Sequence, residues 1–235
     1  MPAGDIDVNT SYPFADDAVV RVLAKQKLPL YLRIPGWATE ATVDGSSVKN
    51  GTLHTVMCVP GQNTVHVSFA PAVRLERSQR TKQQAASYSV HRGALMYSLP
   101  LGQNFTLRHH YVYEANDYDV HRVGPWSFAL DADPADPERD LKFAVGRICK
   151  ESCAPFNHTD WPTRISATVR SVPGWAEING SAAPPPSSPA CIRPESRCGT
   201  PMRVNLVPHG GTSLRIGMLP LSGFGVRDER LTTYV

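Results

Sequence analysis

Apolar and polar positions alternate with a period of two along most of this chain, the mark of strands with one buried face. Leu28, Leu30, Leu32 and Ile34 interleave with Pro29, Tyr31 and Arg33, and the run stops at Pro35-Gly36 with Trp37 behind it. Ala18 to Leu23 is short and β-branched. Leu53 to Val59 and Thr64 to Phe69 flank Pro60-Gly61-Gln62-Asn63, turn chemistry that predicts a hairpin. Val73 to Arg77, Tyr88 to Arg92 and Leu95 to Leu99 continue the series, with polar Gln79 to Ala86 expected as an exposed loop.

The second half is less regular. Phe105 to Tyr113, Tyr118 to Val123, Trp126 to Leu130, Leu141 to Val145 and Arg164 to Arg170 read as extended. Asp131 to Asp140 is acidic and holds two prolines, so it reads as a loop. Gly180 to Pro201 is rich in Pro, Ser and Ala, without apolar periodicity, and reads as a long irregular or polyproline-like surface loop. Met202 to Val207 and Ser213 to Leu219 are expected to pair around His209-Gly210-Gly211. No amphipathic helix stands out. Many short strands with Gly and Pro turns predict an all-β chain of two consecutive antiparallel β-sandwich domains, 1–100 and 101–235. Arg33 to Ala38 (RIPGWA) echoes Ser171 to Ala176 (SVPGWA), a strand-ending device more readily than a duplication.

Composition adds little. A net charge of +3 without a basic run carries no nucleic-acid footprint. The apolar runs are strand-sized, well short of the roughly 20 residues of a membrane helix. The first residues carry acids where a secretory leader would be apolar, although a piece of a longer protein would have lost one. The five cysteines are Cys58, Cys149, Cys153, Cys191 and Cys198. They fit two local disulfides with a buried Cys58, free thiols, or a four-thiolate zinc site whose spacing matches no common pattern.

Asparagine usage changes the picture more. Five of eight asparagines, Asn9, Asn50, Asn104, Asn157 and Asn179, begin an Asn-x-Ser/Thr triplet. Chance would give about one, so they are candidate N-glycosylation sites, and the chain is expected to be secreted or lumenal if eukaryotic. Asn50-Gly51 and Asn179-Gly180 also suit hairpin turns.

Three strings then carry a resemblance: Tyr12-Pro13-Phe14, Leu32 to Ala38 (LRIPGWA) and His91 to Tyr97 (HRGALMY), the last with Ala94 at a usual proline. In the second half Val172 to Trp175, Pro184 to Pro189 and Leu206 to Ile216 extend it. In order and spacing they resemble the β-sandwich part of glycoside hydrolase family 127, the β-L-arabinofuranosidase-like group, formerly a domain of unknown function. Residues 1–100 would match the family's middle domain and 101–235 its C-terminal domain. The resemblance implies retaining hydrolysis by a zinc-bound cysteine with a glutamate acid/base, the zinc being held by cysteines, two of them adjacent, and a glutamate. All of these belong to an (α/α) barrel that precedes the sandwich. This chain has no adjacent cysteine pair. No catalytic or metal residue is therefore carried over, no cofactor is expected here, and the missing barrel is the expected partner.

One stretch keeps the chemistry of a sugar site: Tyr111 to Trp126, YVYEANDYDVHRVGPW. Tyr113, Glu114, Asp117, Tyr118 and Trp126 are candidate sugar contacts, because rings stack on sugars and carboxylates accept hydroxyl protons. An ordinary strand-loop-strand with a solvated acidic tip explains the same residues. Adjacent His109 and His110 should face opposite sides of a strand and so not share an ion. Three readings remain: an accessory region of a family-127-like hydrolase, a stand-alone carbohydrate-binding module, and an independent hydrolase. The first expects no hydrolysis by this chain and an exposed apolar patch where the barrel docks.

Overall fold

A computed structural model describes residues 3–78, 87–113, 116–146, 161–191 and 197–223. The chain is all-β with antiparallel sheets, in two compact units. Unit 1 is Met1–Ala72 with Arg92–Ala94, and unit 2 is Val73–His91 with Leu95–Val235. The division thus falls at Ala72/Val73 rather than near residue 100, because most of 73–100 is hydrogen-bonded into the larger sheet of unit 2.

Unit 1 contains β1 (Gly4–Thr10), β2 (Asp17–Ala24), β3 (Leu28–Arg33), β4 (Ala38–Val43), β5 (Ser46–Ser47), β6 (Leu53–Cys58) and β7 (Gly61–Pro71). One sheet runs β1-β2-β7-β4-β5, and β3 pairs with β6 in a second. Val20, Val22, Val65, Val67, Ala41 and Val43 from the first sheet cluster with Leu30 and Cys58 from the second. Each such buried Val or Leu stabilises the fold by about 1.5–3 kcal/mol. Asp44 and Gly45 both have positive φ, 49° and 77°, between Val43 and its partner Ser46. That is the type I′ turn whose twist suits a two-residue hairpin.

Pro60-Gly61-Gln62-Asn63 does not close a hairpin. β6 pairs with β3, and β7 with β2 and β4, so this turn carries the chain from one sheet to the other. The Asn63 amide holds it by accepting from the Val59 N–H and donating to the Val59 and Gly61 carbonyls. On the outward face of β3–β6, Tyr31, Leu53 and Met57 are 63%, 66% and 52% exposed.

Unit 2 contains β8 (Val73–Arg77), β9 (Tyr88–Arg92), β10 (Leu95–Pro100), β11 (Gly102–His110), β12 (Asn116–Val123) and β13 (Phe128–Leu130). A one-turn helix, α1 (Pro137–Asp140), follows. Then come β14 (Lys142–Val145), β15 (Thr163–Ser171), β16 (Glu177–Ile178), β17 (Ser181–Ala182), β18 (Met202–Pro208) and β19 (Arg215–Ile216). The main sheet runs β13-β15-β18-β10-β9-β8, with β14 on β15 and β19 on β10. Leu219 exchanges two backbone bonds with Tyr88, while Leu130 donates to Pro220 and accepts from Ser222. Residues 219–222 therefore join β9 to β13 and close the sheet on itself.

Tyr97, Leu99, Ile165, Val169, Leu206 and Phe128 fill the core within it. The Tyr97 hydroxyl meets Thr163 Oγ1 at 2.9 Å, so that buried polar pair is satisfied. The acidic loop is not idle either, because Glu138 Oε1 of α1 accepts the Val73 N–H at 3.0 Å.

β18 and β19 are not a hairpin. Both pair with β10, at Tyr97–Ser98 and at Leu99–Pro100, with His209–Gly211 forming a 3₁₀ turn between them. The Pro-rich stretch is more tied down than its composition suggests. The Ala190 and Cys191 N–H groups donate to Leu221 and Ser222, and Ser188 Oγ accepts from Leu221. Ala183 receives the Trp175 indole N–H, and Cys191 is bonded to Cys198.

Candidate functional site

β11 and β12 form an exposed two-stranded arm, with a register shift between Leu107 and His109. Phe105, Leu107 and Tyr118 lie on one face, Phe105 edge-on to Tyr118 at 6.0 Å. Asn104, Thr106, Asp119 and His121 lie on the other. Of the candidate sugar contacts, Tyr113 stands at the tip, 92% exposed, with Asp117 and Tyr118 beside it on β12. Glu114 lies outside the described residues.

Hydrogen bonds already occupy this tip. Asp117 accepts the Tyr111 hydroxyl at 2.8 Å, which raises the Tyr111 pKa above the usual tyrosine value, with desolvation adding to it. Asp119 pairs with Arg108 at 2.9 Å, and Asn116 donates to the Tyr118 hydroxyl. His109 leans on the Tyr111 ring while His110 bonds Asn116, so the two imidazoles take different partners. The arm presents aromatic rings and carboxylates on an open surface, which suits contact with a sugar and not enclosed acid/base chemistry.

Trp126 goes elsewhere. It is only 7% exposed and packs against Trp175, ring centroids 5.0 Å apart. Its remaining edge lines a groove of about 420 Å³ with Arg122, Glu177, His121 and Arg215. Arg122 crosses the indole at 5.9 Å and binds Glu177 at 2.6 Å. Trp126 is thus a core residue bordering a groove, apart from the exposed tip.

The cysteines do not come together as four free thiolates. Cys191 and Cys198 are bonded to each other, Cys58 is fully buried in the core of unit 1, and Cys149 and Cys153 lie outside the described residues. The four-thiolate zinc reading falls with that disulfide, since two of its sulfurs are already joined. Among the described residues no three His, Cys, Asp or Glu side chains converge.

No family model matches the chain, and no curated protein matches it either. Solved structures do. One glycoside hydrolase superposes with a TM-score of 0.55 at 16% identity, over 93% of this chain and 32% of that one. Ara127N, a GH127 β-L-arabinofuranosidase from Geobacillus stearothermophilus T6, does so with a TM-score of 0.55 at 18% identity, over 92% of this chain and 30% of that one. The chain shares the fold of the matched portion of these structures. It spans about a third of the length of the structures it matches.

Two histidine clusters that the alternation pattern did not single out resemble nucleophile–base pairs, and geometry excludes both. Ser89 Oγ lies 2.9 Å from His91 Nε2, and Glu76 Oε2 lies 3.5 Å from the same nitrogen. A triad needs the acid on the opposite ring nitrogen, where it fixes the tautomer. Burial lowers the His91 pKa, against the attraction of Glu76 and with repulsion from Arg74. In the second cluster Ser98 Oγ meets His209 Nδ1 at 2.7 Å, and Arg215 Nε donates to Nε2 at 2.8 Å. Nε2 must accept, so His209 is neutral with its proton on Nδ1, donating to Ser98. It cannot take a proton from that serine, which is also buried. A Ser-x-His spacing on β9 was the one sequence signal available.

Proposed function

We propose that this chain is the non-catalytic β-sandwich portion of a β-L-arabinofuranosidase-like glycoside hydrolase, supporting an (α/α) barrel that carries the bond-cleaving residues in carbohydrate degradation. Unit 1, up to Ala72, would serve as the family's middle domain and unit 2 as its C-terminal domain. The observation that carries this reading is the asymmetry of the match, 92% of this chain against 30% of the arabinofuranosidase. The ordered strings from Tyr12 to Ile216 support it independently. The outward face of β3–β6, with Tyr31, Leu53 and Met57 uncovered, supplies the apolar surface that a scaffold presents to a partner domain.

Purified chain should not cleave aryl arabinofuranosides, with or without zinc, whereas co-expression with the barrel of such an enzyme should yield a soluble complex. Turnover by the chain alone would sink the proposal. A second reading, a stand-alone carbohydrate-binding module, is favoured by the open aromatic arm at Tyr113 and Tyr118. Calorimetric titration with arabinose-containing glycans separates the two, since the scaffold reading expects no heat of binding.

A further inference from the structure

We infer that Asn9, Asn104 and Asn179 carry N-linked glycans, and that these glycans guard unpaired strand edges. The inference does not depend on the reading of the chain as a hydrolase portion. Its basis is a partition of the asparagines. Those outside an Asn-x-Ser/Thr triplet spend their amides on the fold. Asn63 holds the turn between sheets, Asn116 bonds Tyr118, and Asn205 Oδ1 accepts the Ser166 hydroxyl at 2.9 Å.

Three of the four described triplet asparagines behave oppositely. Asn9, Asn104 and Asn179 are exposed, and among the described residues nothing hydrogen-bonds their side-chain amides. Asn50 donates to the Ala38 carbonyl at 2.8 Å and is left out of the proposal, and Asn157 lies outside the described residues. Composition alone would put about one asparagine in eight in such a triplet.

Their placement gives the glycans a use. β1 is the end strand of its sheet, and Asn9 sits opposite Val19, on the face away from core Val20 and Val22. Asn104 is on the two-stranded arm β11–β12, and Asn179 is in the type I′ turn of the two-stranded β16–β17. Exposed Val8 and Phe105 lie on the same strands but on the face opposite the asparagine, so a glycan there screens the strand edge itself, while exposed Ile178 precedes Asn179 at its turn. An open edge bearing apolar side chains invites pairing with another chain, and a bulky hydrated group beside it blocks that approach. Attachment forms a bond from Asn Nδ2 to the anomeric carbon of a lipid-diphosphate-linked oligosaccharide. The diphosphate leaves with the bonding pair, and the amide gives up one proton.

The test uses protein purified from its own source. Peptides spanning Asn9, Asn104 and Asn179 are treated with a peptide N-glycosidase in ¹⁸O water, which converts each glycosylated asparagine to labelled aspartate. Label at all three is expected, and an unmodified asparagine at any of them before treatment overturns its assignment. Intact and enzymatically deglycosylated protein are then compared by size exclusion at equal concentration. The deglycosylated form should shift from monomer to larger species, and an unchanged profile overturns the guarding role.

Discussion

Trp126 and Trp175 stand in tilted contact with ring centroids 5.0 Å apart, and the Trp175 indole N–H is held by the Ala183 carbonyl at 2.8 Å. The pair ties the segment after β12 to the segment after β15, so Trp126 contributes through packing. Trp126→Ala should destabilise the chain by about 3–5 kcal/mol in chemical denaturation. A variant that unfolds like the parent would refute that assignment.

Tyr113 and Tyr118 make the converse case. Both are exposed on the arm, so Tyr113→Ala should shift stability by less than about 0.5 kcal/mol, and Tyr118→Ala by no more than the about 0.5–1.5 kcal/mol of its edge contact with Phe105. If the arm meets a glycan, loss of either ring should abolish binding measured by titration, and in Tyr113→Ala the melting curve should stay put.

Arg92 reaches Asp16 with both terminal nitrogens, at 2.7 and 3.2 Å, and both residues are partly buried. A double-mutant cycle with Arg92→Ala and Asp16→Ala should return a coupling of about 1–2 kcal/mol, above that of an exposed pair. A coupling near zero would show that the geometry contributes nothing.

Stability should fall as pH drops below the usual histidine range. Burial, then the Arg215 guanidinium, lowers the His209 pKa, and burial lowers that of His91 against the attraction of Glu76. An unfolded chain takes up these protons first, so folding loses free energy from about pH 6.5 downward until the folded-state values are reached. Thermal melts between pH 7.5 and 5 should show the decline, and His209→Gln should lessen it, leaving the share due to His91. A melting temperature that rises across that interval contradicts the assignment.

Gly93 links β9 to β10 at φ +58°, and a Cβ there would meet Pro71 and Trp37 only at 3.5 and 3.7 Å. The left-handed backbone, and not crowding, is what requires glycine. Gly93→Ala should cost about 1–2 kcal/mol, read from denaturation midpoints.

Strands with strong β-branched alternation were legible from sequence. Leu28 to Ile34 contains β3, Thr64 to Phe69 falls inside β7, and Arg164 to Arg170 falls inside β15. β1 was overlooked because Asp5, Asp7 and Asn9 make it look solvated, although Ile6 and Val8 alternate correctly among them. Pairing was the harder part. Turn chemistry at Pro60-Gly61 and His209-Gly210-Gly211 reads identically whether a chain folds back on its neighbour or crosses to another strand. At the candidate site, sequence placed the aromatic–acidic cluster on an arm but could not separate Tyr118 from Trp126, since both look alike until a partner such as Trp175 covers one of them. Pro-Gly-Trp worked twice as a strand terminator, with Trp37 edge-on to Phe69 at 5.6 Å and Trp175 held in the core.

The seam at residues 219–222 has a consequence for synthesis. It bonds to positions 88, 130 and 190, so unit 2 cannot finish its ring until a stretch more than a hundred residues downstream of β9 has left the ribosome. Unit 1 draws on residues up to 94 and has no such wait. Its neighbour, rich in distant partners, should be the slow and chaperone-dependent half of the nascent chain.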